Sequence, residues 1–329
     1  MGALSPVRQQ LANQFLAALQ EQRLPWQACW QQSKPQNAIT GKLYRGVNAI
    51  MLTLEAWKQN WNDPRWCTYL QAQQKGWQVH KGEHGMKVEY WAYWDKLKNK
   101  GISLAEGIRL CRQDPAYTEN LRIYAKSSTV FHASQIDGIP PMTQQQTNID
   151  AIRNNRDTLL KNMGLQYEEK GEAAYYDVQA DKVVLPPEGS FDDTYAYLCT
   201  FLHECGHATG HESRLNRDMS GSFGSESYAM EELRVEIASA FAAQEIGLQL
   251  TDRQLQKHME LHKAYIQNWA DVVGNDPEVL FKAIKAADTI SDYLIRNGEF
   301  LPQEQPKPVV PPQAETAVQQ AAVWELEQS

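Results

Sequence analysis

Two histidines four residues apart in an apolar stretch, Phe201-Leu202-His203-Glu204-Cys205-Gly206-His207, constrain this chain more than any other feature. A helix over about 192–209, ended by Gly210, projects both imidazoles from one face, where they can grip one cation. Glu204, directly after the first histidine, points to the side and can accept a proton from an attacking water. Such a five-residue pattern arises by composition alone in roughly one chain in a hundred, so its surroundings carry the argument. Leu198, Phe201 and Leu202 give the helix an apolar face. Upstream, Tyr175-Tyr176-Asp177-Val178 and Lys182-Val183-Val184-Leu185 flank Gln179-Ala180-Asp181 and read as a hairpin, stopped by Pro186-Pro187.

A third ligand is required. A histidine at position 213 would complete one common pattern, but that residue is Ser213. The next predicted helix, 226–246, offers Glu231, Glu232 and Glu236 beside a face marked by Leu233, Ile237, Ala240 and Phe241. Glu232 and Glu236 flank that face and stand i, i+4 to each other. Glu232 is the expected ligand and Glu236 the carboxylate that orients a histidine. Glu231 is expected on the solvated side, and Glu236, Glu231 and His211 remain alternatives for the third ligand. His258 and His262 also stand four apart, but nothing nearby completes a site and a surface helix explains them. Cys205 reads as a buried thiol, and Tyr228 is an open candidate for stabilising an oxyanion. The donor set suits one divalent metal, Zn2+ first, with Mn2+ or another divalent ion open. The chemistry is metal-assisted hydrolysis, with Glu204 passing its proton to a leaving amine.

The front of the chain has a different character. Although the whole carries a net charge of -8, residues 1–146 carry 17 Lys+Arg against 10 Asp+Glu, a net of +7, and the remainder is -15. Eight of the ten tryptophans lie between Trp26 and Trp94, so two modules with different partners are expected. Single-stranded nucleic acid is held by aromatic platforms that stack bases and cations that follow phosphates. Lys42, Tyr44, Arg45, Arg65, Trp66 and Lys81 interleave those two types. The competing account makes the tryptophans the core of a small α+β domain, because tryptophan is usually largely buried; composition leaves the two even. Helices are expected at 6–22, from Asn48 as cap to about 57, and at 66–75. Residues 77–94 read as two strands joined by a Gly-containing turn, 95–120 is ambiguous, and 122–132 is a strand. Further helices are expected near 149–163, 251–272 and 277–296.

Five cysteines without C-x-x-C spacing exclude a disulfide framework and suit a reducing compartment. The first twenty residues lack a signal-peptide pattern and no apolar run reaches the ~20 residues of a membrane span. The chain reads as cytoplasmic with no membrane partner; its oligomeric state is open.

Taken together, these residues resemble the ArdC antirestriction proteins of conjugative plasmids, up to about residue 297. The N-terminal likeness rests on Pro35, Asn37, Thr40-Gly41-Lys42, Tyr44-Arg45-Gly46-Val47-Asn48, Arg65-Trp66, Lys81-Gly82-Glu83, Val130-Phe131 and Gln135-Ile136-Asp137-Gly138-Ile139-Pro140. The C-terminal likeness rests on Tyr175-Tyr176, Pro186-Pro187, the His203–His207 motif, Thr209-Gly210-His211, Ser213-Arg214-Leu215, Tyr228-Ala229 and Glu231-Glu232-Leu233. The resemblance implies an α+β chain: a small single-stranded-DNA-binding domain over 1–142, then a mainly helical zincin-like metallopeptidase domain over 149–298. It adds Asn48 to the DNA-binding candidates and implies protection of incoming plasmid DNA during conjugation. The partners implied are single-stranded DNA and an unidentified protein substrate, the host restriction system being one candidate source. A Gln-rich linker at 143–148 and a disordered Pro/Gln-rich tail at 302–329 complete the organisation. The same N-terminal domain occurs in plasmid primases. The competing function is a non-catalytic DNA-binding shield, or a primase-associated binding module, with a structural metal site. Two departures stand out: Cys205-Gly206 where the family has Leu-Thr, and Arg234-Val235 where it has Val-Ala.

Overall fold

The computed structural model of the chain describes residues 4–21, 23–142, 148–219, 221 and 225–300. The first elements are α1 (Pro6–Gln20), β1 (Gln36–Asn37), α2 (Gly46–Lys58), β2 (Arg65–Thr68), α3 (Tyr69–Gln74) and β3 (Gln78–Val79). Next come β4 (Met86–Asp95), β5 (Lys100–Ser103), α4 (Leu104–Gln113), β6 (Leu121–His132) and β7 (Ile136–Asp137). The second half holds α5 (Ile149–Met163), β8 (Gln166–Glu169), β9 (Tyr175–Asp177), β10 (Lys182–Leu185), α6 (Thr194–Ala208), α7 (Glu226–Ile246), α8 (Asp252–Asn275) and α9 (Pro277–Asn297). The chain is α+β, its second half mainly helical. Most of the expected linker and the whole expected tail at 302–329 fall outside the described residues. Among the described residues no helix is long and apolar enough to cross a membrane.

Several helix ends are written locally. Ser5 accepts from the Arg8 N–H ahead of Pro6, Asn148 caps α5, and Ser225 caps α7. Gly164 ends α5 in the left-handed conformation, φ 64°. The start of α2 is different: Asn48 lies inside its first turn, and the Gly46 N–H is met by the Asp288 carboxylate of α9. A cap supplied from so far along the chain leaves no local signal. The helix expected at 66–75 begins only at Tyr69, because Arg65–Thr68 is a strand. It pairs parallel with β1 and antiparallel with residues 130–132 of β6, and Thr68 then caps α3 in a box with Gln71. Nor is 77–94 a hairpin: β3 pairs with β7, Val79 opposite Ile136. The strand β8, too polar to show alternation, runs parallel to β10, while the predicted hairpin β9–β10 is antiparallel with Val183 opposite Tyr176. In the resulting order β8-β10-β9 the apolar β10 is central and β9 is an edge.

The chain forms two compact units, one from Met1–Met86 with Val130–Leu301 and one containing Lys87–Thr129. In the first, a single apolar core takes Leu11, Phe15 and Leu19 of α1 together with Phe241, Trp269 and Ile290 of α7, α8 and α9. Trp26 is fully buried at its centre, 6.0 Å from the Phe15 ring and 5.2 Å, edge-on, from Trp269. The front of the chain thus helps build the helical core of the back, and 1–142 does not keep its apolar residues to itself. In the second unit β4 lies between β6 and β5, with Trp94 opposite Gly101. The helix α4 packs so closely on one face of β4 that a Cβ at Gly107 would overlap the Tyr93 ring.

Trp26→Ala is expected to lower stability by about 3–5 kcal/mol, the usual cost of emptying a large aromatic site. Urea denaturation followed by circular dichroism checks this. A loss under about 1 kcal/mol would mean that the N-terminal segment is peripheral to the helical core.

Candidate metal centre

α6 starts where the Asp193 side chain accepts from the Ala196 N–H, and its buried face, Tyr197, Leu198, Phe201 and Leu202, sets the roll of the helix. That roll sends His203 and His207 toward α7, with their Nε2 atoms 3.2 Å apart. Glu232 of α7 meets both, its carboxylate oxygens 3.6 Å from His203 Nε2 and 3.4 Å from His207 Nε2. The three residues can each offer a donor atom within 4.8 Å of the others. Separations of this size suit neighbouring ligands of a small ion with bonds of ~2.0–2.2 Å, and two imidazoles with one carboxylate are a familiar set for a catalytic divalent metal. The residues present therefore fit such an ion.

What stands behind the histidines is as informative. Glu236, with no exposed surface, lies with Oε2 3.2 Å from His203 Nδ1, and its Oε1 accepts from Trp26 Nε1 at 3.2 Å. A carboxylate on Nδ1 keeps a proton there, so that Nε2 is the nitrogen a bound metal ion would take. Glu231, expected on a solvated face, is instead 5% exposed, with Oε1 3.9 Å from His207 Nδ1. Arg217 grips the same carboxylate at 2.5 Å and donates to Gly206 O and Thr209 Oγ1. A glutamate can be buried here because an arginine from the following loop meets it, and nothing in the α7 pattern announces that partner. His211 turns to its own loop, where its Nδ1 lies 2.8 Å from Ser213 Oγ and accepts from the Ser213 N–H. The side chains of His258 and His262 are outside the described residues.

Glu204 is 7% exposed and lies beside the histidines in a cleft of about 360 Å3, which Tyr175, Tyr176, Met219 and Tyr228 also line. Burial raises its carboxyl, His203 lowers it, Glu232 raises it and the Tyr176 N–H lowers it, leaving the group at about 7. For Glu232 burial works against ionisation, but its bond to His203 and the two histidine charges prevail and hold it at about 2. Tyr228 donates its hydroxyl to Glu232, and burial together with that charge pushes its phenol upward. Arg214, following the motif helix, ties the hairpin to it: the guanidinium donates to Ala208 O at 2.6 Å and also engages Asp181 and the Tyr176 hydroxyl. Arg214 stood out in the sequence only within the family-like stretch Ser213-Arg214-Leu215, without a role, and no sequence signal pointed to Arg217, since each acts through a loop.

The DNA-binding candidates are not gathered into one such cluster. Lys42 and Lys81 are exposed. Arg45 is exposed and paired with Asp292, while Tyr44 and Asn48 are partly buried. Arg65 is held bidentate by Asp63 and donates to Pro140 O. Trp66 is 1% exposed, edge-on to Trp61 and His132, and offers no open ring face to a base.

Residues 154–286 match the family model for a zincin-like metallopeptidase, and residues 5–131 that for the N-terminal domain of anti-restriction factor ArdC. A DNA primase TraC of Escherichia coli is 34% identical over 326 residues, 96% of this chain but 30% of the primase. A second Escherichia coli TraC is 35% identical over 299 residues, 88% of this chain and 20% of its own length. The chain thus spans less than a third of either primase. Protein y4eC of Sinorhizobium fredii is 33% identical over 294 residues, covering 88% of this chain and 91% of y4eC. Two crystal structures of the antirestriction ArdC protein from plasmid R388 share the fold. The metal-free one is 28% identical at a TM-score of 0.67, covering 91% of this chain and 100% of that one. The Mn(II)-bound one is 30% identical at 0.67, covering 88% and 97%.

One packing detail bears on the two departures noted in the sequence. A Cβ at Gly206 would fall 2.8 Å from Val235 Cγ1 and 3.8 Å from Ile290 Cγ2. Gly206 on α6 and Val235 on α7 therefore face each other in close packing. Gly206→Thr is expected to cost about 1–3 kcal/mol through overpacking against a stiff valine. Val235→Ala in the same chain should recover most of that loss. Thermal melts of the two single variants and the double variant check this, and strictly additive losses would show that the two positions are independent.

Proposed function

The chain belongs to the ArdC antirestriction family, an ArdC-type N-terminal domain followed by a zincin-like metallopeptidase domain, and on that premise we propose that it binds single-stranded DNA and hydrolyses peptide bonds, protecting incoming plasmid DNA in the cytoplasm during conjugation. Residues 1–142 carry the DNA function in this reading and 149–298 the hydrolytic one. What carries the proposal is the convergence of His203, His207 and Glu232 beside a buried Glu204, under the edge strand β9.

His203, His207 and Glu232 would hold one divalent ion, Zn2+ or Mn2+, which when bound polarises a scissile carbonyl and acidifies water. The work of the chain's own residues follows from their positions. As the edge strand of its sheet, β9 can take an extended peptide as a further strand. Glu204, buried beside the three ligands, takes a proton from the attacking water and returns it to the leaving amine. The Tyr176 N–H holds that carboxylate in place, coupling it to the strand that positions substrate. Glu236 and Glu231 keep the histidines turned toward the cleft. On the DNA side, Lys42 and Lys81 are exposed cations able to face phosphates.

The likeness to TraC primases favours a second reading, a non-catalytic binding module with a structural metal site. A structural site, however, has no use for a carboxylate buried beside the ligands and poised near neutrality.

Glu204→Gln should retain metal and single-stranded-DNA binding while losing about 10²–10⁴ in cleavage of denatured casein. Glu232→Ala should lose metal and keep DNA binding. Metal analysis, a casein assay and an oligonucleotide titration on each purified protein decide the matter. A wild type without near-stoichiometric metal, or a Glu204→Gln variant as active as wild type, would end the peptidase reading.

A further inference from the structure

The Lys87–Thr129 unit has an open sheet face that the metal site does not use. Along β4 the side chains alternate, so Tyr90, Ala92 and Trp94 share one face and Glu89, Trp91, Tyr93 and Asp95 the other. The second face is the one on which α4 packs, over Tyr93. The first exposes two rings, Tyr90 at 42% and Trp94 at 39%, with Val88 and Ala92 covered between and beside them; on the α4 face Trp91 is also 41% exposed. Residues paired across an antiparallel ladder point to the same side, so Gly101, opposite Trp94, belongs to this face. The Tyr124 hydroxyl lies 2.5 Å from where a Gly101 Cβ would stand, and Lys126 Nζ lies 3.8 Å from it. Tyr124 thus reaches from β6 across the central strand into the space the glycine leaves, and Lys126 Nζ sits 5.7 Å from its ring centroid. Arg122, two residues before Tyr124 on the same strand, is exposed on this side too.

We propose that this face, formed by Tyr90, Trp94, Tyr124, Arg122 and Lys126, is the platform on which a single strand of DNA lies. The proposal rests on the single-stranded-DNA reading above and places it on residues other than the sequence candidates. Three ring systems on one sheet face match what stacked bases require, and the two cations match the backbone that runs past them. Tyr90 and Trp94 stand roughly 13 Å apart along the strand at ~3.3 Å per residue, room for more than one base. The sign of the charge selects the occupant. Lys87–Thr129 carries 8 Lys+Arg against 5 Asp+Glu, a net of +3 in a chain of -8. The strand carboxylates Glu89 and Asp95 are on the opposite face. An acidic polymer is favoured there, and the tolerance of stacking for any base implies little sequence preference.

The test is fluorescence anisotropy of a labelled oligo-dT with the full chain over a salt series. Tyr90→Ala with Trp94→Ala should weaken binding roughly tenfold or more. Arg122→Ala with Lys126→Ala should flatten the log–log salt slope by about 1.4, at ~0.7 for each phosphate no longer neutralised. Tyr90→Phe with Trp94→Phe keeps both rings and should keep most of the affinity, and if the alanine pair fails to fold, the salt slope of the Arg122→Ala, Lys126→Ala pair decides the case. If folded, metal-retaining variants of both kinds bind as wild type does, this surface is wrong while the single-stranded-DNA reading stands. If the wild type binds no oligo-dT, both fall. If the ring variants instead change the elution volume on gel filtration, the face is a contact between protein chains and the proposal is overturned.

Discussion

A carboxylate with no exposed surface sits between the indole N–H of Trp26 and the Nδ1 of His203. Removing such a charge from water costs several kcal/mol unless every lone pair finds a donor. Glu236 has one from each side. The indole comes from the N-terminal segment and the imidazole from the motif helix, so the carboxylate is braced on both sides only while both are in place. The aromatic stack around Trp26, from Phe15 to Trp269, holds the indole there. Orientation of one metal-binding histidine is in this way secured by the apolar core of the whole first unit.

The other side of the cleft is fixed by a different principle. β9 is an edge strand, and edges left with unpaired backbone groups are adhesive. Here the edge is anchored: the Tyr176 hydroxyl and Asp181 are held by Arg214, whose guanidinium also reaches the end of α6. The short loop after the motif thus sets the distance between strand and helix. Arg217, three residues on, does the corresponding service between α6 and α7 through Glu231.

The sequence was informative wherever a side chain's neighbours are close in the chain. The i, i+4 histidines, the flanking position of Glu232 and Glu236, the β9–β10 hairpin and the α7 start at Ser225 follow from helical or strand periodicity and from capping chemistry. What escaped was set by remote partners. Glu231 is buried because Arg217 arrives from a loop, α2 begins at Gly46 because Asp288 arrives from α9, and β3 pairs with β7 instead of with β4. Polar Gln166-Tyr167-Glu168-Glu169 is a strand only because β10 supplies a parallel partner. Tryptophan composition could not distinguish a buried ring such as Trp66, which was a DNA-binding candidate, from an exposed one such as Trp94, which was not; exposure alone does that.

The facing pair Gly206 and Val235 also has a genealogical consequence. Threonine at 206 together with alanine at 235 would move volume across the interface with little change in its sum. Neither half of that exchange is tolerable for long alone, since one intermediate overfills the gap and the other leaves a void. A recombination joint falling between the two helices would reunite mismatched halves. On this packing alone, α6 and α7 are expected to be inherited as a single block.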